Sequence, residues 1–106
     1  MRDLHDAVLL SLELRWKAGE VVVHLRHWEA PHLRVVGVSV RDVHCPRRLP
    51  WGPSASVNDV RGPVRAADGA GERLEIEMQS GDTIVLVAER FEVHEGVETS
   101  GDAPAT

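Results

Sequence analysis

The side chains with the most chemistry to offer are six histidines and a single cysteine in 106 residues. Neutral imidazole and thiolate are the usual zinc ligands, and structural zinc sites draw them from spaced pairs that can converge. Spacing here works against such a site. His24 and His27 would project from opposite faces of one strand, His32 follows a proline, and His44 and Cys45 are adjacent. His5, His44 and Cys45 come nearest to a ligand set; no metal and no other cofactor is expected, and the imidazoles read as surface groups. Cys45 as a nucleophile needs a base, and His44 beside it would point away along a strand. Ser54 sits in Gly-Pro-Ser-Ala-Ser, which lacks the Gly-x-Ser-x-Gly elbow. Glu75 and Glu77 share one face of a strand as a solvated edge would. Gly69, Gly71 and Gly81 open no helix and form no phosphate-binding fingerprint. The expectation is a protein that is not an enzyme.

Binding chemistry is better represented. Arg41, His44, Arg47 and Arg48 form the one local basic cluster, and guanidinium presents a planar fork of donors that suits a carboxylate or phosphate. The competing reading pairs these arginines with the acidic second half of the chain. From Cys45 to Asp59 the chain holds three of its six prolines and one of its three tryptophans, Trp51. Prolines fix their own φ and push the preceding residue into extended conformations, so this is a stiff loop. Trp51 either anchors a partner, with Ser54 and Asn58 beside it, or caps the protein's own core.

The elements that must position these residues follow from size and pattern. One domain fits the length, and 42% hydrophobic with 27% charged residues is a globular composition. The longest apolar stretches fall far short of the roughly 20 residues a membrane helix needs. No basic leader precedes an apolar stretch, and one cysteine fits a reducing compartment, so a cytoplasmic setting is expected. The net charge of -5 divides unevenly: residues 1–65 carry +3 and residues 66–106 carry -8, which suggests halves that face and partly neutralise one another. Nucleic acid is therefore not an expected partner, nor is a membrane.

Val8 to Trp16 alternates with period two, placing Val8, Leu10, Leu12, Leu14 and Trp16 on one face. A two-residue turn at Ala18-Gly19 would pair Trp16 with Val21, Leu14 with Val23 and Leu12 with Leu25. Leu33 to Val43 reads as a third strand with Val36, Val38 and Val40 on one face and Gly37 as a bulge or close approach; Trp28 to His32 links it to the second. Ser56 to Val64 makes a short edge strand limited by Gly62-Pro63, and residues 66–71 a flexible connection. Leu74, Ile76 and Met78 alternate inward, facing Val87, Val85 and Thr83 across a turn at Ser80-Gly81. Phe91 and Val93 continue the odd-numbered face of that last strand, which is apolar on both faces. Residues 95–106 are acidic and small and read as a flexible tail to a single domain spanning residues 1–94.

His5-Asp6-Ala7, Trp16-x-x-Gly19, Pro50-Trp51-Gly52-Pro53-Ser54 with Asn58, and Gln79-Ser80-Gly81-Asp82 together resemble a family of small uncharacterised bacterial proteins. The resemblance spans residues 5 to about 93. It implies a compact β domain whose proline-rich loop and Gln-Ser-Gly-Asp turn belong to one design, and it transfers no catalytic residue.

The expected architecture is all-β, five or six mainly antiparallel strands in a sandwich or partly open barrel, with the stiff loop closing one end. The expected function is a non-catalytic cytoplasmic protein-interaction module, immunity- or regulator-like, self-associating through the last strand or an edge, with Trp51, Ser54, Asn58 and the neighbouring arginines as contact region. The alternative is a β domain whose basic mouth of Arg41, His44, Arg47 and Arg48 binds a small anion.

Overall fold

The structure, a computed structural model, describes residues 3–47, 56–67 and 69–96. It contains six strands: β1 (Val8–Arg15), β2 (Glu20–His27), β3 (Ala30–His44), β4 (Val57–Arg65), β5 (Glu72–Met78) and β6 (Thr83–Gly96). They form one sheet in the order β1-β2-β3-β6-β5-β4, antiparallel at every pairing. Two three-stranded meanders thus join through their long last strands, leaving β1 and β4 as the outer edges. The sheet curls until these edges touch. Val8 bridges Ser56, the Asp6 N–H donates to the Val57 carbonyl at 2.8 Å, and the Val57 N–H donates to Ala7 at 2.8 Å. From this junction β1 and β4 run to opposite sides, so the sheet is not closed into a barrel. The expectation of an all-β, mainly antiparallel domain holds.

Every strand sends side chains into the enclosed core: Leu9, Val21, Val23, Leu25, Leu33, Val35, Val57, Leu74, Ile76, Met78, Ile84 and Leu86 are buried, joined by Leu4 and Ala7 ahead of β1. Burying each large aliphatic side chain contributes about 1.5–3 kcal/mol. β5 alternates as its sequence implies.

The first hairpin differs in register. Arg15 pairs with Glu20, Leu14 with Val21 and Leu12 with Val23, around a four-residue turn from Trp16 to Gly19 in which Gly19 takes φ 68°. The shift of two residues preserves which face meets which, but moves Trp16 out of the sheet, where it is 85% exposed. A bulge between Leu9 and Ser11 then breaks the alternation. Leu9 and Leu12 meet the core, whereas Leu10 and Leu14 are exposed. The second turn is only Trp28-Glu29, since His27 already pairs with Ala30 and Pro31 lies within β3. His27 is buried, and its Nδ1 accepts the Glu29 N–H at 3.2 Å, so this imidazole is not a surface group.

The long β3–β6 pair changes face midway. Leu33, Val35 and Gly37 point inward, then Ser39 adopts φ 54°, and the inward positions become Val40 and Val43. β6 makes the matching change, with Ile84, Leu86 and Ala88 inward and then Phe91. Val36 and Val38 therefore lie on the outer face, and Val85 and Val87 do not share the inner face with Phe91. A register shift between Val40 and Asp42 adds a residue to β3, and extra residues of this kind bend a strand and sharpen its twist, which helps one sheet wrap around its own core. Gly37 is a close approach, as a Cβ there would lie 2.8 Å from Val21 Cγ1 and 2.9 Å from Phe91 Cε1.

In the β5–β6 hairpin Leu74 faces Leu86 and Ile76 faces Ile84, one residue away from the expected register. The reason is the turn. Gln79-Ser80-Gly81 is a three-residue loop with Gly81 at φ 105°, and the Met78 N–H donates to Asp82 across it. β4 runs one residue past Val64, accommodating Gly62-Pro63 at a register shift between Arg61 and Val64. The described residues of the 66–71 connection form a bonded turn, in which the Ala66 N–H donates to Gly71 at 3.0 Å.

Candidate functional site

Of the seven residues expected to form the contact region, four, Arg41, His44, Arg47 and Asn58, fall within the described residues. Trp51, Ser54 and Arg48 lie outside the described residues. Arg41 is exposed on β3 and donates from Nη1 to the Ala70 carbonyl at 3.2 Å, a backbone acceptor and not a carboxylate. His44 is exposed at the end of the same strand, Arg47 follows it, and Cys45 carries a thiol whose pKa is raised by partial desolvation. Asn58 is on β4 and faces different company.

That company is a polar clasp at the junction of the two edges. Its pieces come from far apart in the chain: His5-Asp6 before β1, Asn58 at the start of β4 and Gln79 in the last turn. His5 Nδ1 donates to the Asn58 carbonyl at 2.7 Å, and its Nε2 lies 3.6 Å from Asp6 Oδ2. Gln79 Nε2 donates to Asp6 Oδ1 at 2.6 Å and to the Val57 carbonyl at 3.3 Å, while the Gln79 N–H donates to Ser56 at 2.9 Å. Asp6 holds φ 68°, a left-handed conformation that Asp tolerates better than most residues. The bond to Asn58 and then the Asp6 carboxylate raise the pKa of His5 above its usual 6.5. The clasp satisfies polar groups where the sheet seam would otherwise open, and it ties the end of the proline-rich segment to the Gln-Ser-Gly-Asp turn.

The outer face carries most of the charge. On β4 and β5 the Arg61 guanidinium meets Glu77 at 2.9 Å, Glu75 at 3.1 Å and Asp59 at 3.3 Å, and Arg73 meets Glu75 at 2.8 Å. These contacts raise the pKa of Arg61, through Glu77 first and Glu75 next, and lower that of Glu75, through Arg73 first and Arg61 next. Glu75 and Glu77 are thus held by guanidinium. Arg61 bridges the basic and acidic halves, but Arg15–Glu13 and Arg90–Glu92 pair residues two apart on one strand. Among these pairs, those of Arg61 with Glu75 and Glu77 join the two halves.

Over β1, β2, β3 and β6 the same face holds a groove of about 320 Å³ lined by Leu10, His24, Pro31, His32, Arg34 and His94 above Leu25 and Leu33. The bulge at Leu10 explains part of it, since both residues of a bulge turn toward one side opposite a single partner, here His24. Neither this groove nor a second one between Pro63 and Glu89 is lined by Arg41, His44, Arg47 or Asn58. Among the described residues no three His, Cys, Asp or Glu side chains form a group able to hold a metal ion, and no helix is long and apolar enough to cross a membrane.

The fold and these sites define a small all-β domain of antiparallel strands. Compared with known proteins, the chain matches no family model, no curated protein and no solved structure.

Proposed function

We propose that this is a non-catalytic interaction module that docks a protein segment along the open edge of β1. The observation that supports the reading is the difference between the two edges. β4 is interrupted by two register shifts and by Gly62-Pro63, and it carries Asp59, Arg61 and Arg65. Proteins guard exposed strands from unwanted pairing in these ways. β1 runs without a further shift from Ser11 to Arg15, and no described strand pairs with its outer edge beyond Val8. It presents Trp16 at its end, the kind of aromatic anchor that dominates interfaces, with Leu14, 49% exposed, beside it as apolar contact surface. Strand addition to such an edge gains affinity from main-chain hydrogen bonds and specificity from alternate side chains. A cytoplasmic module of this type, regulating or neutralising a partner, is the role the sequence also favours. This contact surface on β1 is additional to the one read from the proline-rich loop, whose Trp51 and Ser54 lie outside the described residues.

Sedimentation velocity of the full chain, wild type beside Leu14→Lys and Trp16→Ala, tests the reading. A concentration-dependent dimer lost in Leu14→Lys supports pairing between two copies. A monomer that captures a protein from cell extract, where Leu14→Lys does not, supports a different partner. A monomer whose captures are the same in wild type and both variants defeats the proposal.

A further inference from the structure

Arg34 lies at the centre of the outer-face groove, with His24 directly across on β2 and His94 directly across on β6. It is half-buried, and among the described residues no acceptor meets its guanidinium. The charged and titratable groups that surround it are Glu13 from β1, His24 and Arg26 from β2, His32 on β3 itself, and Glu92 and His94 from β6. Both carboxylates are engaged elsewhere. Glu13 accepts from Arg15 at 3.1 Å and from His24 at 3.3 Å, and its lowered pKa reflects Arg15 first and His24 next. Glu92 accepts from Arg90 at 3.1 Å, with His94 Nε2 at 3.5 Å. A half-buried guanidinium lacking a counter-charge is costly unless something supplies one.

We propose that this groove binds a small oxyanion, the phosphate or carboxylate end of a compact molecule, with Arg34 as the principal ligand. Guanidinium grips such a group through two parallel N–H donors, and His24 and His94, whose Nε2 atoms face Glu13 and Glu92, add an Nδ1 donor when protonated on both nitrogens. Leu10 and Pro31 offer apolar surface to the body of the molecule, and the volume lies at the lower end of the range for ligand pockets. This site is separate from the basic mouth inferred from sequence and does not depend on strand docking at β1.

The test is a titration of the isotopically labelled full chain followed through its backbone amides, using phenyl phosphate, benzoate and inorganic phosphate as probes. Saturable shifts centred on His24, His32, Arg34 and His94 are expected, with the stronger organic probe identifying the preferred head group. Arg34→Gln should weaken binding by about tenfold or more, leaving the remaining amide spectrum in place. Arg34→Lys, which keeps the charge and loses the fork, should also weaken it and serves where Arg34→Gln fails to fold. Arg41→Gln should leave binding unchanged. Absence of saturable shifts with all three probes, or undiminished binding in a folded Arg34 variant, overturns the proposal.

Discussion

Gly37 is the point at which the change of face in the central strand pair can be tested by one methyl group. A Cβ at this position would lie 2.8 Å from Val21 Cγ1, 2.9 Å from Phe91 Cε1 and 3.3 Å from Ala88 Cβ. Carbon atoms settle at about 3.5–4.0 Å, so the first two contacts are short by roughly 0.6 Å or more. Val21 comes from β2 and Phe91 from β6, on the two sides of β3, so movement away from one brings the methyl against the other. Overpacking of this kind costs about 1–3 kcal/mol. Removing a glycine from the unfolded chain returns about 0.4–1 kcal/mol. Gly37→Ala should therefore lose about 1–2 kcal/mol. Urea unfolding followed by tryptophan fluorescence should show a lower midpoint at unchanged slope. Phe91→Leu, which removes the ring edge, should cost less in the Gly37→Ala background than in wild type, with a coupling of about 0.5 kcal/mol or more. If Gly37→Ala is neutral or stabilising, or if the two substitutions simply add, Phe91 does not occupy the space above Gly37 and the inner face has been assigned wrongly.

Leu86→Ala, in the middle of the core, should cost about 2–5 kcal/mol, whereas Leu14→Ala on the open edge should change stability by less than about 1 kcal/mol; chemical denaturation separates them. His5 has a folded-state pKa above its unfolded value. Its contribution is thus fully present below about pH 6.5 and lost as pH rises through the folded pKa, and the stability gap between wild type and His5→Gln should shrink from pH 5.5 to pH 8.5 (both roughly placed around the imidazole range). Arg61→Gln should cost about 0–1 kcal/mol, as exposed ion pairs do, while a carboxyl-detected NMR titration should show the Glu75 pKa rising yet remaining below the usual range because Arg73 still holds it.

Strand identity was legible wherever apolar alternation continued without interruption. Leu74, Ile76 and Met78 point inward as their spacing implies, and Leu12 and Val23 meet on the inner face despite a displaced turn. What alternation cannot carry is an extra residue or a left-handed one. The bulge at Leu10, the left-handed Ser39 and the change between Ala88 and Phe91 each exchange inner for outer positions. Hydrophobic residues that alternation groups together are then parted, as Val40 is from Val36 and Val38. The 79–81 turn moved one register by a residue for the same reason. The clasp at His5, Asp6, Asn58 and Gln79 was visible only as separate motifs, because contacts between residues 73 positions apart depend on the sheet curling back on itself. The groove was hidden for a related reason: His24, Arg34 and His94 become neighbours only once β3 is known to lie between β2 and β6.

The clasp and the open edge are mechanically linked. Among the described residues Val8 on β1 bridges Ser56, just ahead of β4, and this bridge is flanked by the Asp6, Ala7 and Val57 backbone bonds that Gln79 helps secure. That bridge fixes where pairing along β1 stops. From Leu9 to Arg15 the edge offers seven residues, about 23 Å at the usual rise per residue. An added strand of that length would meet Leu14 near its far end and the bulge at Leu10 near the junction. The bulge disrupts the regular ladder, so the strongest pairing falls between Ser11 and Arg15. A partner segment should therefore be short and extended, with an apolar residue placed to meet Leu14. His5, Asp6 and Gln79 would influence its affinity without touching it, because they hold the seam from which the edge departs.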